Sequence, residues 1–422
     1  LFKRFSKMGW GKEMTILENN AMQSIATSAG YMTAPLISSM PAYMLITNHV
    51  VPAWQTGIWI IALAILGVLF AFPLKKRYIN DDQLPFPEGY AAGVVMHNLH
   101  SSEGNEGVFK AKVLLSGAGV ASLVELLRSE KVMHLLRVPF LKLPEYWDDI
   151  VYKYFTPRLM GTPLKDLTIQ WDTSLVLFAT GGLMSVKVAR SLLIGAVINY
   201  WILAPYLISV GIMKGGGFKN ISIWSLWTGA MMMTTSSLYS FFSKPEIFKG
   251  ALNFGKKKPK QQDLLKDIEL PMSVFMAGIP IMGFIVVFLG HWFFDISWAM
   301  GALSIPLVFV LTIIAVNSTG LTAITPGTAL SKLTQITYSI IAPGNISTNV
   351  MTAGIATEVT LNASNLLMDI KPGYMLGAKP RKQAIGHVLG IFAGASISIP
   401  VYYAMFHGDL SLLTSDTLPM PS

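Results

Sequence analysis

Glu358, Asn362, Asn365 and Asp369 follow one another at spacings of 4, 3 and 4 in the otherwise uncharged stretch 345–370. On an α-helix that spacing puts all four side chains on one face. The carboxylates could carry a proton, and the carboxamides could hold a polar solute. A carboxylate at mid-membrane costs at least ~2.5–3.5 kcal/mol, so such a stripe is expected to face a bundle interior or a wet cavity. An amide-glued helix seam would explain the two asparagines. Glu358 tips the stripe toward function. It is the deepest carboxylate and has no basic neighbour in sequence, which makes it the first candidate for proton coupling.

A second constellation is Glu18-Asn19-Asn20, followed by Gln23, Ser24, Thr27 and Ser28, then Gly30, Tyr31 and Pro35. Asn20, Ser24, Thr27 and Tyr31 share one helical face, with Asn19 and Gln23 beside it. Gly30 and Pro35 interrupt that helix and free backbone groups that only a cavity or a neighbouring helix can satisfy. Broken helices with polar linings are where transporters hold substrate and coupling ions. The candidate substrate-binding residues are therefore Glu18, Asn19, Asn20, Gln23, Ser24 and Thr27, with Asn362 and Asn365 from the first stripe. Glu18 is the second candidate for proton coupling. A helix cap at the membrane surface would also explain Glu18.

Other features read as structural. Leu84-Pro85-Phe86-Pro87-Glu88-Gly89 forces an extended turn before a helix, with Glu88 in its first turn. His97, His100, Glu103 and Glu106 have a weak metal-ligand spacing and fit a solvated loop better. Glu125 and Arg128 form an i,i+3 pair. Asn317 to Gly327 and Pro343-Gly344-Asn345 are broken stretches that could line a cavity. No GxSxG, Walker A, HExxH or Rossmann pattern occurs in a suitable context. No catalytic residue, resident metal or bound cofactor is expected, and nothing couples the chain to ATP.

The elements that must position these groups follow from composition. Hydrophobic residues make up 52% of the 422, charged residues only 13%, and the mean hydropathy is +0.51. A soluble domain carries about 25% charged residues, so a soluble enzyme is excluded. The absence of cysteine excludes a disulfide scaffold. A net charge of +9 would suit nucleic acid, but the excess lies in short loops between apolar runs, the pattern of membrane orientation. Six charge-free stretches, 53–72, 191–213, 221–243, 271–290, 296–316 and 388–406, are long enough for spanning helices. Less clean candidates are 13–49, 112–127, 167–186, 320–342 and 345–370. The expected fold is an all-α polytopic membrane protein of about eleven crossings, a transporter bundle with broken or re-entrant helices.

Lys75-Lys76-Arg77, the loop 244–269 with seven lysines against four acids, and Lys379, Arg381 and Lys382 mark cytoplasmic turns. The segment 130–166, broken by four prolines, reads as an external, partly helical interfacial excursion. The tail after His407 reads as external. Residues 13–49 are too many for one straight crossing and are expected to break. One transporter domain over 1–422 is expected, with approximate halves 1–243 and 271–422 joined by the basic loop 244–270. Gly182, Lys187, Ala189, Gly195 and Pro205 match Gly377, Lys382, Ala384, Gly390 and Pro400 at an offset of 195, which suggests an internal pseudo-repeat.

Three blocks carry a family resemblance: Glu18 to Gly30, Leu84 to Gly89, and Asp369-Ile-Lys-Pro-Gly373 with Gly377-Ala-Lys-Pro-Arg381-Lys-Gln383. In this order the chain resembles the oligopeptide transporter (OPT) family, in its prokaryotic and yellow stripe-like branch. The resemblance implies a secondary transporter in the cell membrane, commonly proton-coupled, for small oligopeptides or metal-chelate complexes. The proton gradient would supply the energy, and a metal would enter only within a chelated substrate. It also implies further helices before Leu1 and after Ser422. Partners are then the substrate and the lipid bilayer, with a homodimer as a further expectation and no nucleic acid. The competing readings are a membrane-embedded metal-dependent hydrolase using His97 and His100, and a non-transporting membrane component.

Overall fold

Thr15 and Glu18 start the first helix by capping each other. The Glu18 N–H donates to the Thr15 hydroxyl (3.2 Å), and the Glu18 carboxylate accepts from the Thr15 N–H (2.7 Å) and hydroxyl (3.0 Å). Helix α1 (Ile16–Tyr31) thus begins on a capping box. The chain is described here from a computed structural model, which covers Gly9 and residues 14–101, 105–242 and 270–414. Pro35 lacks the N–H to continue α1, so a short 3-10 turn (Pro35–Ile37) intervenes before α2 (Ser39–Thr47). The stretch 13–49 is therefore broken.

Helix α3 (Ala53–Lys75) has 23 residues, enough to cross about 30 Å of hydrocarbon. It does not end at the basic cluster. A π-helical turn (Lys76–Asp81) continues it, and Lys75 and Arg77 are buried rather than held in an open loop. Arg77 can be buried because its Nε lies 3.2 Å from the Asp82 carboxylate. After a turn with left-handed backbone at Gln83 and Phe86, Pro87 opens α4 (Pro87–Ser101). Pro is suited to this first position because its missing N–H would have no partner there.

Among the described residues, those within 98–232 form one compact unit, and those up to His97 and from Met233 form another. The expected joint at 244–270 falls almost wholly outside the described residues. The 98–232 unit contains α5 (Asn105–Arg128), α6 (Glu130–Leu135), α7 (Asp148–Tyr152), α8 (Leu175–Leu183), α9 (Val186–Ala196) and α10 (Ala204–Ser209), and most of α11 (Phe218–Phe242). A two-residue hairpin pairs β1 (Arg158–Leu159) with β2 (Thr162–Pro163). The excursion 130–166 is thus partly helical, and ion pairs Lys142–Glu130 (2.6 Å) and Lys165–Asp149 (3.2 Å) tie it together. Arg128 holds Glu125 and also Asp172, each at 3.0 Å. A π-helical stretch (Val197–Leu203) separates α9 from α10. The matching stretch near the C-terminus, by contrast, folds as a single unbroken helix.

The other unit adds α12 (Met272–Phe294), α13 (Trp298–Thr322), α14 (Gly327–Ile341), α15 (Ile346–Leu376) and α16 (Pro380–Phe406). Among the described residues five helical segments are long and apolar enough to cross a membrane: Ala53–Asp81, Val186–Ser209, Ser273–Phe294, Trp298–Thr322 and Pro380–Phe406. Helix α15 is longer than any of these but more polar. Of its 31 residues 22 are buried, which makes it the central helix of this unit. It packs against α1, α2, α3, α13, α14 and α16. Asn345 caps it by accepting from the Thr348 N–H at 3.0 Å, so this part of the Pro343-Gly344-Asn345 break serves as a helix start.

Candidate functional site

The 4-3-4 stripe forms as a single helical face on α15, and all of it is buried: Glu358 and Asn365 are 1% exposed, Asn362 0% and Asp369 2%. Asn362 Nδ2 donates to the Glu358 side chain at 2.7 Å and to its backbone carbonyl at 3.0 Å. This leaves Glu358 Oε2, Asn362 Oδ1 and both polar atoms of the Asn365 side chain without a hydrogen-bond partner. Buried polar groups normally have partners, so this concentration on one face marks the stripe. The α3 backbone approaches it closely: a Cβ at Gly67 would lie 2.7 Å from the Val359 carbonyl oxygen and 2.9 Å from Asn362 Cβ.

The second constellation joins the far end of the stripe. On α1, Asn20 and Ser24 are fully buried. Thr27 donates its hydroxyl to Asp369 Oδ2 at 2.6 Å. Asn20 Nδ2, Gln23 Oε1 and Ser24 Oγ have no partner. Asn19 and Gln23 are half-buried beside this face. Glu18 lies apart, exposed in the first turn of α1, where its carboxylate closes the capping box described above.

Helix α16 supplies a third wall that periodicity alone had not assigned. Gln383 is 2% exposed and His387 is fully buried. Gln383 Nε2 donates to Asn20 Oδ1 and to the Asp369 backbone carbonyl, each at 2.8 Å. His387 Nδ1 lies 3.6 Å from Asp369 Oδ2. A signal for both exists in the sequence: Gln383, His387, Gly390 and Gly394 repeat the 4-3-4 spacing of the stripe on α15. Gly390 and Gly394 let α16 lie directly on α1. A Cβ at Gly390 would strike Ser28 Oγ and the Ile25 carbonyl, and one at Gly394 would strike the Ala29 carbonyl.

The Leu84 to Gly89 turn docks on the ends of two helices. Phe86 is fully buried, and its N–H donates to the Gly320 carbonyl at 2.8 Å. Lys371 Nζ donates to the Leu84 carbonyl at 2.8 Å. The turn therefore ties α13 and α15 together at the start of α4. In the 317–327 break, the Thr319 and Thr325 hydroxyls are bonded at 2.8 Å. Among the described residues no three His, Asp or Glu side chains converge as a metal site. Glu103 lies outside the described residues.

A helical chain with long apolar spans and a central helix carrying buried carboxylate and amide groups defines an all-α polytopic membrane protein of the transporter class. Within that class the chain belongs to the OPT oligopeptide transporter protein family, whose model matches residues 3–422. It is 25% identical to a Haemophilus influenzae protein provisionally named an oligopeptide transporter, over 94% of this chain and 65% of that protein. It is 22% identical to a metal-nicotianamine transporter of Oryza sativa subsp. japonica, over 84% of this chain and 54% of that protein. It is 21% identical to the iron-phytosiderophore transporter yellow stripe 1 of Zea mays, over 85% of this chain and 54% of that protein. The chain thus spans about half to two thirds of these relatives' lengths. These names describe transporters, not enzymes. Nothing in the described residues or in these names supports the expected homodimer.

Proposed function

We propose that this chain forms the substrate-translocating part of a proton-coupled secondary transporter in the cell membrane for small peptides or metal-chelate complexes. The observation that carries this reading is the buried stripe of α15, where Glu358, Asn362 and Asn365 keep unpartnered polar atoms inside an apolar bundle. Such atoms cost free energy in this state, and binding a polar substrate to them would recover it. A substrate bearing amide, amine and carboxylate groups would complement Asn20, Gln23, Ser24, Thr27, Asn362 and Asn365, which offer both donors and acceptors. Peptides and amino-acid-based chelators share that chemistry.

Glu358 is the coupling group in this scheme. A carboxylate crossing between the two openings of a carrier must be neutral when the surroundings are dry, because an unpaired charge there is far costlier than a carboxylic acid. Proton binding at Glu358 on one side and release on the other would therefore drive the cycle. No bound cofactor takes part, and any metal travels as cargo inside its chelator.

Uptake into liposomes tests the reading. The protein is reconstituted and given a labelled tripeptide or an Fe(III)-nicotianamine complex, with and without an inward pH gradient. Accumulation of either probe that collapses when the gradient is dissipated is the expected result. Uptake of neither probe above protein-free liposomes would overturn it.

A further inference from the structure

We infer that His387, acting through Asp369, is a positioning residue for transport, closing a contact between α15 and α16 in a state other than the one seen here. The inference rests on the transport reading above and adds to it a residue that the sequence did not single out.

Three observations carry it. First, His387 is fully buried and neither of its ring nitrogens has a hydrogen-bond partner. A neutral imidazole always carries one N–H donor and one acceptor, and in this conformation no protein group is within bonding distance of either. Second, Nδ1 stands 3.6 Å from Asp369 Oδ2, where an N–H···O bond requires about 3.0 Å. A shift well under 1 Å would make the bond. The carboxylate is already aimed, because Thr27 donates to the same Oδ2 at 2.6 Å and Gln383 holds the Asp369 carbonyl at 2.8 Å.

Third, the surface on which α16 rests permits such a shift. At Gly390 and Gly394 the two helices meet backbone to backbone, with Ile25, Ser28 and Ala29 of α1 directly beneath. Glycine-lined seams lack the interdigitated side chains that lock most helix pairs, and small sliding motions of packed helices are a standard mode of switching. Sliding α16 by a fraction of an ångström toward Asp369 would give His387 its partner. A contact made in only one state biases the equilibrium toward that state by its own free energy. The pair would thus set how often the carrier visits the closed-contact state, not how tightly it grips substrate.

A double-mutant cycle on the reconstituted full chain tests this. H387L and D369L, each of which removes one partner of the bond, are each expected to lower maximal uptake of the labelled tripeptide or Fe(III)-nicotianamine roughly tenfold, with half-saturation changed less than about twofold. The double variant should be no worse than the poorer single, and H387Q, which keeps an N–H donor, should retain more activity than H387L. Melting temperatures in detergent should show no matching coupling, because the bond is absent in the resting state. Additive losses, or a coupling that appears equally in melting, would overturn the proposal and leave the pair purely structural. A transport-free readout keeps it testable should neither probe move. In solid-state NMR of 15N-histidine-labelled protein, the signal lost in H387Q should show two Nδ1 environments, one of which disappears in D369L. A single environment indifferent to D369L would overturn the proposal even if uptake is coupled as described above.

Discussion

Gln383 reaches Asn20 across the helix seam, its Nε2 donating to Asn20 Oδ1 at 2.8 Å while the same nitrogen donates to the Asp369 carbonyl at 2.8 Å. One side chain of α16 thereby fixes α1 and α15 at once, at the point where the two polar constellations meet. All three residues are buried, so neither accepting oxygen can turn to bulk water when the donor is removed.

That arrangement predicts an order among substitutions. Gln383→Leu leaves the buried Asn20 Oδ1 without its donor and removes the second bond to the Asp369 carbonyl, and should cost about 1–3 kcal/mol. Gln383→Glu should cost more, because a carboxylate would face two carbonyl oxygens with no proton to give. Thermal unfolding of the purified variants in one detergent checks the order. Equal melting of Gln383→Glu and wild type would show that the clamp does not form.

The glycine seam gives a second prediction. Gly390→Ala and Gly394→Ala each place a methyl group against the α1 backbone, and overpacking of this kind costs about 1–3 kcal/mol. Gly195 on α9 has nothing within 4 Å of an added Cβ, so Gly195→Ala should be neutral or slightly stabilising. A melting series of the three variants separates the close approach at the seam from the general effect of removing glycine.

The stripe on α15 was legible because its 4-3-4 spacing fits only a helix and because charge in an apolar run must turn inward. The break after α1 was legible from Gly30 and Pro35. Glu18 carried two readings in the sequence, and Thr15 three residues earlier completes the capping box that the structure contains. Gln383 and His387 were harder to see. They sit between a basic cluster and an apolar run, so hydropathy assigns them to the edge of a span, whereas their partners lie on α1 and α15, which no local pattern reveals. Lys75 and Arg77 show a limit of another kind: their charges mark an orientation, but the helical path continues through them to Asp81, and Asp82 pairs with the buried Arg77.

The 130–166 excursion predicts a pH effect of defined sign. The hydrogen bond from Lys142, aided by its charge, holds the Glu130 carboxyl below its ordinary range, and the same bond raises Lys142. Glu130's contribution to local stability is therefore full above its unfolded pKa and is lost as pH falls through its folded value. Lys142's contribution is full below its unfolded pKa and is lost as pH rises through its folded value. Both groups are exposed, so the effect is small and screened by salt. A carbon-13 titration of Glu130 should give a midpoint below about 4.3, the value for an unperturbed glutamate. Lys142→Met should return it to that value, and a midpoint unchanged by Lys142→Met would remove the ion pair from solution.

The last prediction separates coupling from binding at the stripe. Glu358 and Asn362 are joined by the 2.7 Å bond from Nδ2 to the carboxyl oxygen, and a glutamine at 358 can accept that bond through its amide oxygen. Glu358→Gln therefore preserves the shape and the helix while removing the only group of the pair that can change its protonation. If Glu358 carries the coupling proton, this variant should bind substrate and exchange labelled for unlabelled substrate across the liposome, yet fail to accumulate it when a pH gradient is imposed. Glu18→Gln keeps an oxygen that accepts from the Thr15 N–H, since either residue closes such a box, and Glu18 lies apart from the buried face, so this variant should leave gradient-driven accumulation in place. Measuring exchange and accumulation on the same liposome preparation distinguishes the two outcomes. Normal gradient-driven accumulation by Glu358→Gln would mean that this carboxylate only stabilises the bundle and that the proton crosses elsewhere.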